Sequence, residues 1–151
     1  IDLNRNFPCG WEPINDRPEP SYQGFKGIAP FTAAETIALR DYTLKYAFDA
    51  TVSYHSSGSI IYYEYGNKEP ANANSKSLAQ AVSATSGYRL ICGSGVNGAG
   101  YKDWAIEELG IPSITIEIGC GDSPLAYREI FSTFERNYGI FPAIAQWLKT
   151  H

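Results

Sequence analysis

YRLICGSGVNGAGYKDWAIEELGIPSITIEI, residues 88–118, is the stretch on which the fold turns. Tyr88 to Cys92 is a short apolar strand, Gly93 to Gly100 a glycine-rich loop, and about Tyr101 to Leu109 a helix. Gly110-Ile111-Pro112 then turns the chain into a strand, Ser113 to Ile118, apolar except for Ser113, Thr115 and Glu117. A strand, a helix and a second strand in succession place the chain in the α/β class. The same stretch holds Gly93-Ser94-Gly95-Val96-Asn97-Gly98, a match to G-x-G-x-x-G, with Glu117 lying 19 residues past Gly98. That is where a dinucleotide site carries its ribose-binding acid, so an NAD-binding enzyme is one reading. Several glycines in one loop satisfy that pattern by chance, and it explains nothing in the first 87 residues.

Working outward, the alternation continues. The opening segment to Pro30 holds five prolines with several glycines and reads as a long loop fixed by tertiary contacts. Thr32-Ala33-Ala34-Glu35 has the capping-box pattern, predicting a helix to about Tyr46. Ala50 to His55 alternates as a strand does, Ile60 to Tyr65 forms a second strand, and Asn74 to Ser86 is an Ala-rich helix stopped by Gly87. From about Leu125 the chain is helical with a break near Tyr138-Gly139.

Composition narrows the function classes. A length of 151 residues with 44% hydrophobic and 19% charged side chains fits one globular domain with a substantial core. The net charge of -4 is spread without a basic stripe, which argues against nucleic acid as a partner. No apolar run approaches the roughly 20 residues of a membrane-spanning helix, so no membrane span is expected. Cys9, Cys92 and Cys120 are odd in number and lack C-x-x-C spacing, against a disulfide framework or a cysteine metal site; they read as small buried hydrophobes.

His55 and Glu117 stand out because each closes or nearly closes a strand, where α/β sheets collect functional side chains. Singly, each has a plain structural explanation: a satisfied histidine, or a carboxylate paired with a cation. Their surroundings change the balance. Asp2-Leu3-Asn4-Arg5-Asn6-Phe7-Pro8, Pro30-Phe31-Thr32 before Glu35, His55-Ser56-Ser57-Gly58 with Tyr63-Glu64-Tyr65-Gly66, Ala99-Gly100 with Asp103-Trp104, and Thr115-Ile116-Glu117 occur in one order. That order and approximate spacing resemble the zinc metallocarboxypeptidase family typified by carboxypeptidase A. The resemblance covers nearly the whole chain.

It implies a mixed, mainly parallel twisted sheet flanked by helices, of which residues 1–151 would be the C-terminal half. His55 resembles the family's second zinc-binding histidine. The resemblance implies one zinc ion whose other ligands, the His and Glu of an H-x-x-E motif, lie before Ile1. Glu117 resembles the general base and acid acting on zinc-activated water. Asn4 and Arg5 resemble the pair that grips a substrate's terminal carboxylate, for which a planar guanidinium is suited. Without the resemblance, an internal salt bridge anchoring the loop would explain Arg5 equally well. The chain alone is expected to be inactive, and the N-terminal half of the same domain is its expected partner.

Two departures from the family pattern bear on substrate. The position of the family's mobile tyrosine is Gly95, and no tyrosine occurs between Arg89 and Gly100; Tyr101 lies past the Ala99-Gly100 pair. This is similar to relatives that cut bacterial cell-wall peptides, the γ-D-glutamyl-diaminopimelate peptidases. The position that reads the substrate side chain is Lys102, where a cation attracts an acidic group; a solvated surface lysine is the plain alternative. The reading is therefore a zinc peptidase acting on peptides, muropeptides among them, in a bacterial cell envelope or outside the cell in preference to the cytoplasm. Ordinary removal of C-terminal residues and a non-catalytic peptide-binding relative are the alternatives.

Overall fold

A computed structural model describes residues 1–14, 17–92 and 98–151. Five helices, α1 (Ala34–Tyr46), α2 (Ala71–Ser86), α3 (Tyr101–Glu107), α4 (Ile130–Asn137) and α5 (Ile140–Leu148), interleave with four strands, β1 (Thr51–Ser56), β2 (Ile60–Tyr62), β3 (Arg89–Ile91) and β4 (Ser113–Ile118). The strands form one sheet in the order β1-β4-β2-β3. β1 pairs with β4 and β2 with β3 in parallel, while β2 runs antiparallel to β4. The sheet is thus mixed and mainly parallel.

This order disposes of the dinucleotide reading of residues 88–118. β3 and β4 flank β2, which is parallel to one and antiparallel to the other, so they run in opposite directions. A phosphate-binding βαβ unit needs parallel strands joined by its helix. Of the G-x-G-x-x-G match itself, Gly93 to Asn97 lie outside the described residues.

Side chains alternate across β4 and sort the two faces of the sheet. Ile114 and Ile116 point into the main core with Ile61, Leu78, Ala79, Val82, Tyr88, Ile140 and Trp147, so α2 and α5 cover that face. Ser113, Thr115 and Glu117 alternate to the opposite face. A second core sits elsewhere, where Phe7, Cys9 and Trp104 pack with Phe31, Tyr65 and Tyr101 and bind the opening loop to α3. α2 ends as its sequence requires, on Gly87 with φ of 69° in the left-handed region.

The capping of α1 differs from expectation. The N-cap is Ala33, which has no side chain to serve it, and the Thr32 hydroxyl turns back to the carbonyl of Ala29. The cap comes from Asn6 instead: its Oδ1 accepts from the amides of Thr32 and Ala33 (2.9 and 3.1 Å) and the Thr36 hydroxyl (2.8 Å). Its Nδ2 donates to the carbonyls of Lys26 and Ala29, and the residue is wholly buried. A tertiary contact over 26 residues has replaced a local one. β2 is also shorter than its apolar run, because Tyr63 to Tyr65 leave the ladder. Of the cysteines only Cys9 is buried; Cys92 and Cys120 are exposed.

Candidate active site

β1 and β4 deliver the two principal side chains. In their parallel register His55 stands opposite Glu117, and Ser53 opposite Thr115. Both His55 and Glu117 are half-buried and lie on the face turned away from Ile116. Beyond them the chain is stitched together across the strand ends. The Gly58 amide and the Ser59 hydroxyl both donate to the Gly119 carbonyl, at 3.1 and 2.8 Å. The Ser57 hydroxyl donates to the Gly121 carbonyl, and the hydroxyls of Ser56 and Ser123 are 3.1 Å apart. Gly119 is itself required, since its φ is +66° and a Cβ there would lie 2.5 Å from a Leu125 methyl.

Glu117 also senses its neighbour electrically. Burial raises the Glu117 carboxyl above the ordinary glutamate range, and the neighbouring imidazole charge pulls it partly back. The His55 imidazole makes no hydrogen bond to any described residue, and it lines a cleft of about 190 Å³. Asn4, Glu35, Ser53 and Tyr101 line the same cleft.

Asn4 and Arg5 lie in a single 3-10 turn, Leu3–Arg5, capped by Asp2. Asp2 accepts from the Asn4 amide (3.1 Å) and the Gly24 amide (2.8 Å), so the turn is pinned to the opening loop, with buried Asn6 securing its other end. The Tyr101 amide donates to Asn4 Oδ1 at 3.4 Å, which leaves the Asn4 Nδ2 hydrogens without a described partner. Among the described residues Arg5 forms no ion pair; its guanidinium donates only to the Asn4 carbonyl at 2.7 Å. Among the described residues, no salt bridge of the kind that would have explained Arg5 structurally is made.

Lys102 is no solvated surface lysine: it is 8% exposed. Its ammonium donates to Asp103 Oδ1 at 2.5 Å and to the Glu64 carbonyl at 3.0 Å. Asp103 also accepts from the Gly100 amide at the start of α3. Burial raises the Asp103 carboxyl while the adjoining Lys102 opposes that rise. Tyr101, whose hydroxyl lies 3.0 Å from that of Thr43, presents its ring to the cleft while its tip is tied to α1.

Residues 1–148 match the family described as zinc carboxypeptidase. The chain belongs to the zinc carboxypeptidase family. Among its relatives are the gamma-D-glutamyl-L-diamino acid endopeptidase 1 of Lysinibacillus sphaericus, 37% identical over 95% of this chain and 36% of that protein, and the carboxypeptidase B of Rattus norvegicus, 27% identical over 98% of this chain and 40% of that protein. The chain thus spans well under half the length of these curated relatives. Among solved structures, bovine thrombin-activatable fibrinolysis inhibitor in complex with tick carboxypeptidase inhibitor superposes with a TM-score of 0.83 at 21% identity, covering 99% of this chain and 57% of the other. The murein-tripeptide amidase MpaA of Escherichia coli O157 gives 0.64 at 19% identity, covering 97% and 58%. Both structural likenesses establish the shared α/β fold.

Zinc carboxypeptidases are zinc-dependent. An imidazole in a cleft, without an internal hydrogen bond and beside a carboxylate, fits one ligand of a zinc site. Among the described residues no three His, Cys, Asp or Glu side chains are grouped to hold an ion. None of the described helices is long and apolar enough to cross a membrane.

Two members of the site escaped the sequence. Glu35 looked like a capping residue and instead lines the cleft with His55. Asn6 sat inside a recognisable segment, yet nothing local marks an asparagine as the cap of a helix 28 residues on.

Proposed function

We propose that the intact protein is a zinc peptidase that hydrolyses bacterial cell-wall peptides at the bond between γ-D-glutamate and a diamino acid. The observation that carries this reading is the register of β1 and β4, which sets an imidazole beside a carboxylate at neighbouring strand ends. The likeness to an endopeptidase for γ-D-glutamyl-L-diamino acid bonds supports the substrate. Zinc bound at His55 would polarise the scissile carbonyl and make its water acidic. The chain's own residues do the rest.

Glu117 takes a proton from the attacking water and delivers it to the leaving amine. A carboxyl raised by burial is a better base for this than an exposed one, provided it stays ionised at the working pH. The Asn4 amide hydrogens, without a described partner, and the Arg5 guanidinium, which spends one donor on the Asn4 carbonyl and forms no ion pair among the described residues, bind the leaving residue's carboxylate. Lys102 has three ammonium hydrogens and spends two, on Asp103 and on the Glu64 carbonyl. The ammonium also lies over the Tyr65 ring, 5.6 Å from its centroid, so a carboxylate on the leaving side chain would share it with that ring. The full ligand set requires residues beyond this chain, with the rest of the same domain as its partner, and the chain alone is inactive. Action on cell-wall peptides favours the cell envelope or the outside of the cell over the cytoplasm.

The test is hydrolysis by the intact protein of γ-D-glutamyl-diaminopimelate peptides against ordinary peptides with a free C-terminus. Zinc-dependent cleavage of the former, abolished by Glu117→Gln, is the expected result. Cleavage of C-terminal residues alone would assign ordinary carboxypeptidase action. Zinc binding with no cleavage of either would leave a binding relative. Lys102→Ala should erase a preference for acidic leaving side chains, and an unchanged preference removes Lys102 from the site.

A further inference from the structure

We propose that Glu35 is a specificity residue that receives an ammonium group of the substrate's leaving residue. The inference rests on the peptidase reading and adds a second electrostatic contact to it. Glu35 sits in the first turn of α1 and lines the cleft that holds His55 and Asn4. The wall it stands on is fixed: Asn6 caps α1 at its N-terminus, and Thr43, farther along the helix, meets the Tyr101 hydroxyl.

Glu35 is exposed and makes no hydrogen bond or ion pair with any described residue. Beside the His55 imidazole, two side chains in this cleft have polar groups without a described partner, and they differ in chemistry: the donor hydrogens of Asn4 and the carboxylate of Glu35. A ligand that answers both carries an anion for Asn4 and a cation for Glu35. A peptide ending in a simple amino acid offers only the anion, because its amine is consumed in the scissile bond. A diamino acid offers both, since its second amine remains protonated. A carboxylate receiving an ammonium makes a charge-assisted hydrogen bond, stronger than a neutral one.

The experiment uses the intact, zinc-loaded protein and two γ-D-glutamyl peptides whose leaving diamino acid has its second amine either free or acetylated. The wild type should prefer the free amine, and Glu35→Gln should reduce that preference about tenfold by slowing the free-amine peptide while sparing the acetylated one. Glu35→Asp, which keeps the charge, should retain part of the preference. An equal loss on both peptides, or an unchanged ratio, overturns the proposal. If the wild type cleaves neither peptide, the peptidase reading fails first; if it cleaves both with zinc dependence and no discrimination, only the role of Glu35 falls. Melting temperatures of both variants, expected to match the wild type, separate recognition from a loss of helix capping.

Discussion

His55 and Glu117 occupy the same rung of the parallel β1–β4 ladder, each the penultimate residue of its strand. Rungs of neighbouring strands are about 4.8 Å apart, so the backbone alone brings imidazole and carboxylate within one site's breadth. Nothing in the loops has to fold correctly first for the two to meet. The loops then lock the rung, through the paired bonds from Gly58 and Ser59 to the Gly119 carbonyl.

Removing the carboxylate should separate chemistry from metal binding. Glu117→Gln in the intact protein is expected to lower kcat/KM by roughly 10²–10⁴ with zinc content unchanged, because a general base is lost while His55 remains. Metal analysis beside steady-state rates checks this. Loss of zinc along with activity would make Glu117 a ligand.

The same substitution has a pH signature in the metal-free chain. Burial raises the Glu117 carboxyl above the ordinary glutamate value of 4.5, so folding favours its protonated form. The associated stability is complete below that value and declines as pH climbs through the folded-state pKa. Glu117→Gln should then equal the wild type's stability in acid and exceed it at neutral pH. Denaturant midpoints at pH 3.5 and pH 7, with a gap that widens toward pH 7, would show the sign directly.

Cys9 should be inert where its two companions react. Burial, reinforced by the carboxylate of Glu108, pushes the Cys9 thiol up to about 12, and the residue is 8% exposed. The thiolate is the reactive form. Alkylation of the folded chain at pH 8 should mark Cys92 and Cys120 and leave Cys9 until denaturant is added, as read by mass spectrometry of peptides. The linkage runs the same way as for Glu117: the Cys9 contribution to stability is intact below pH 9 and is lost as pH rises toward 12.

Asn6 should be the costliest polar residue to remove from the opening loop. Asn6→Ala abandons the amides of Thr32 and Ala33 and the carbonyls of Lys26 and Ala29 at a buried position. Stranding buried groups costs about 1–3 kcal/mol each before relaxation and water entry, so a total of about 3 kcal/mol is expected in chemical denaturation. Asn6→Asp keeps the acceptor that caps α1 while losing the donors, and should fall between. Because Asn6 adjoins Asn4 and Arg5, both variants should also weaken substrate binding in the intact protein.

What the sequence disclosed follows from where the information sits. β4 was bounded correctly because turn residues precede it and apolar residues alternate with Ser113, Thr115 and Glu117 within it; α2 was right only at its C-terminal end, where Gly87 takes a left-handed φ that halts a helix, and it begins at Ala71, three residues before the expected Asn74. The β1–β4 rung was beyond local pattern, since no periodicity announces which strands pair or in what register. The cap of α1 was misassigned for the same reason: Thr32 has the right chemistry locally, and Asn6 wins by arriving from a distant loop with both ends of its amide satisfied. Lys102 illustrates the converse. Its chemistry was legible, but its burial depends on the adjoining Asp103 and on the Glu64 carbonyl from the segment after β2.

Gly119 offers a test of how tightly the loops hold the rung. Gly119→Ala meets two obstacles, a φ of +66° and a Leu125 methyl 2.5 Å from the new Cβ. The left-handed backbone costs roughly 1–2 kcal/mol for a residue with a Cβ, and the clash adds to it. Leu125→Ala would relieve the clash and not the backbone. In a double-mutant cycle the pair should therefore be less destabilised than the sum of the singles, with the remaining deficit close to the backbone cost. The Gly119 carbonyl is the acceptor for Gly58 and Ser59. A shift there should thus move Glu117 relative to His55, and Gly119→Ala should lower kcat in the intact protein more than it raises KM. Strict additivity of the two substitutions would mean that Leu125 does not press on Gly119, and the loop would be held by its hydrogen bonds alone.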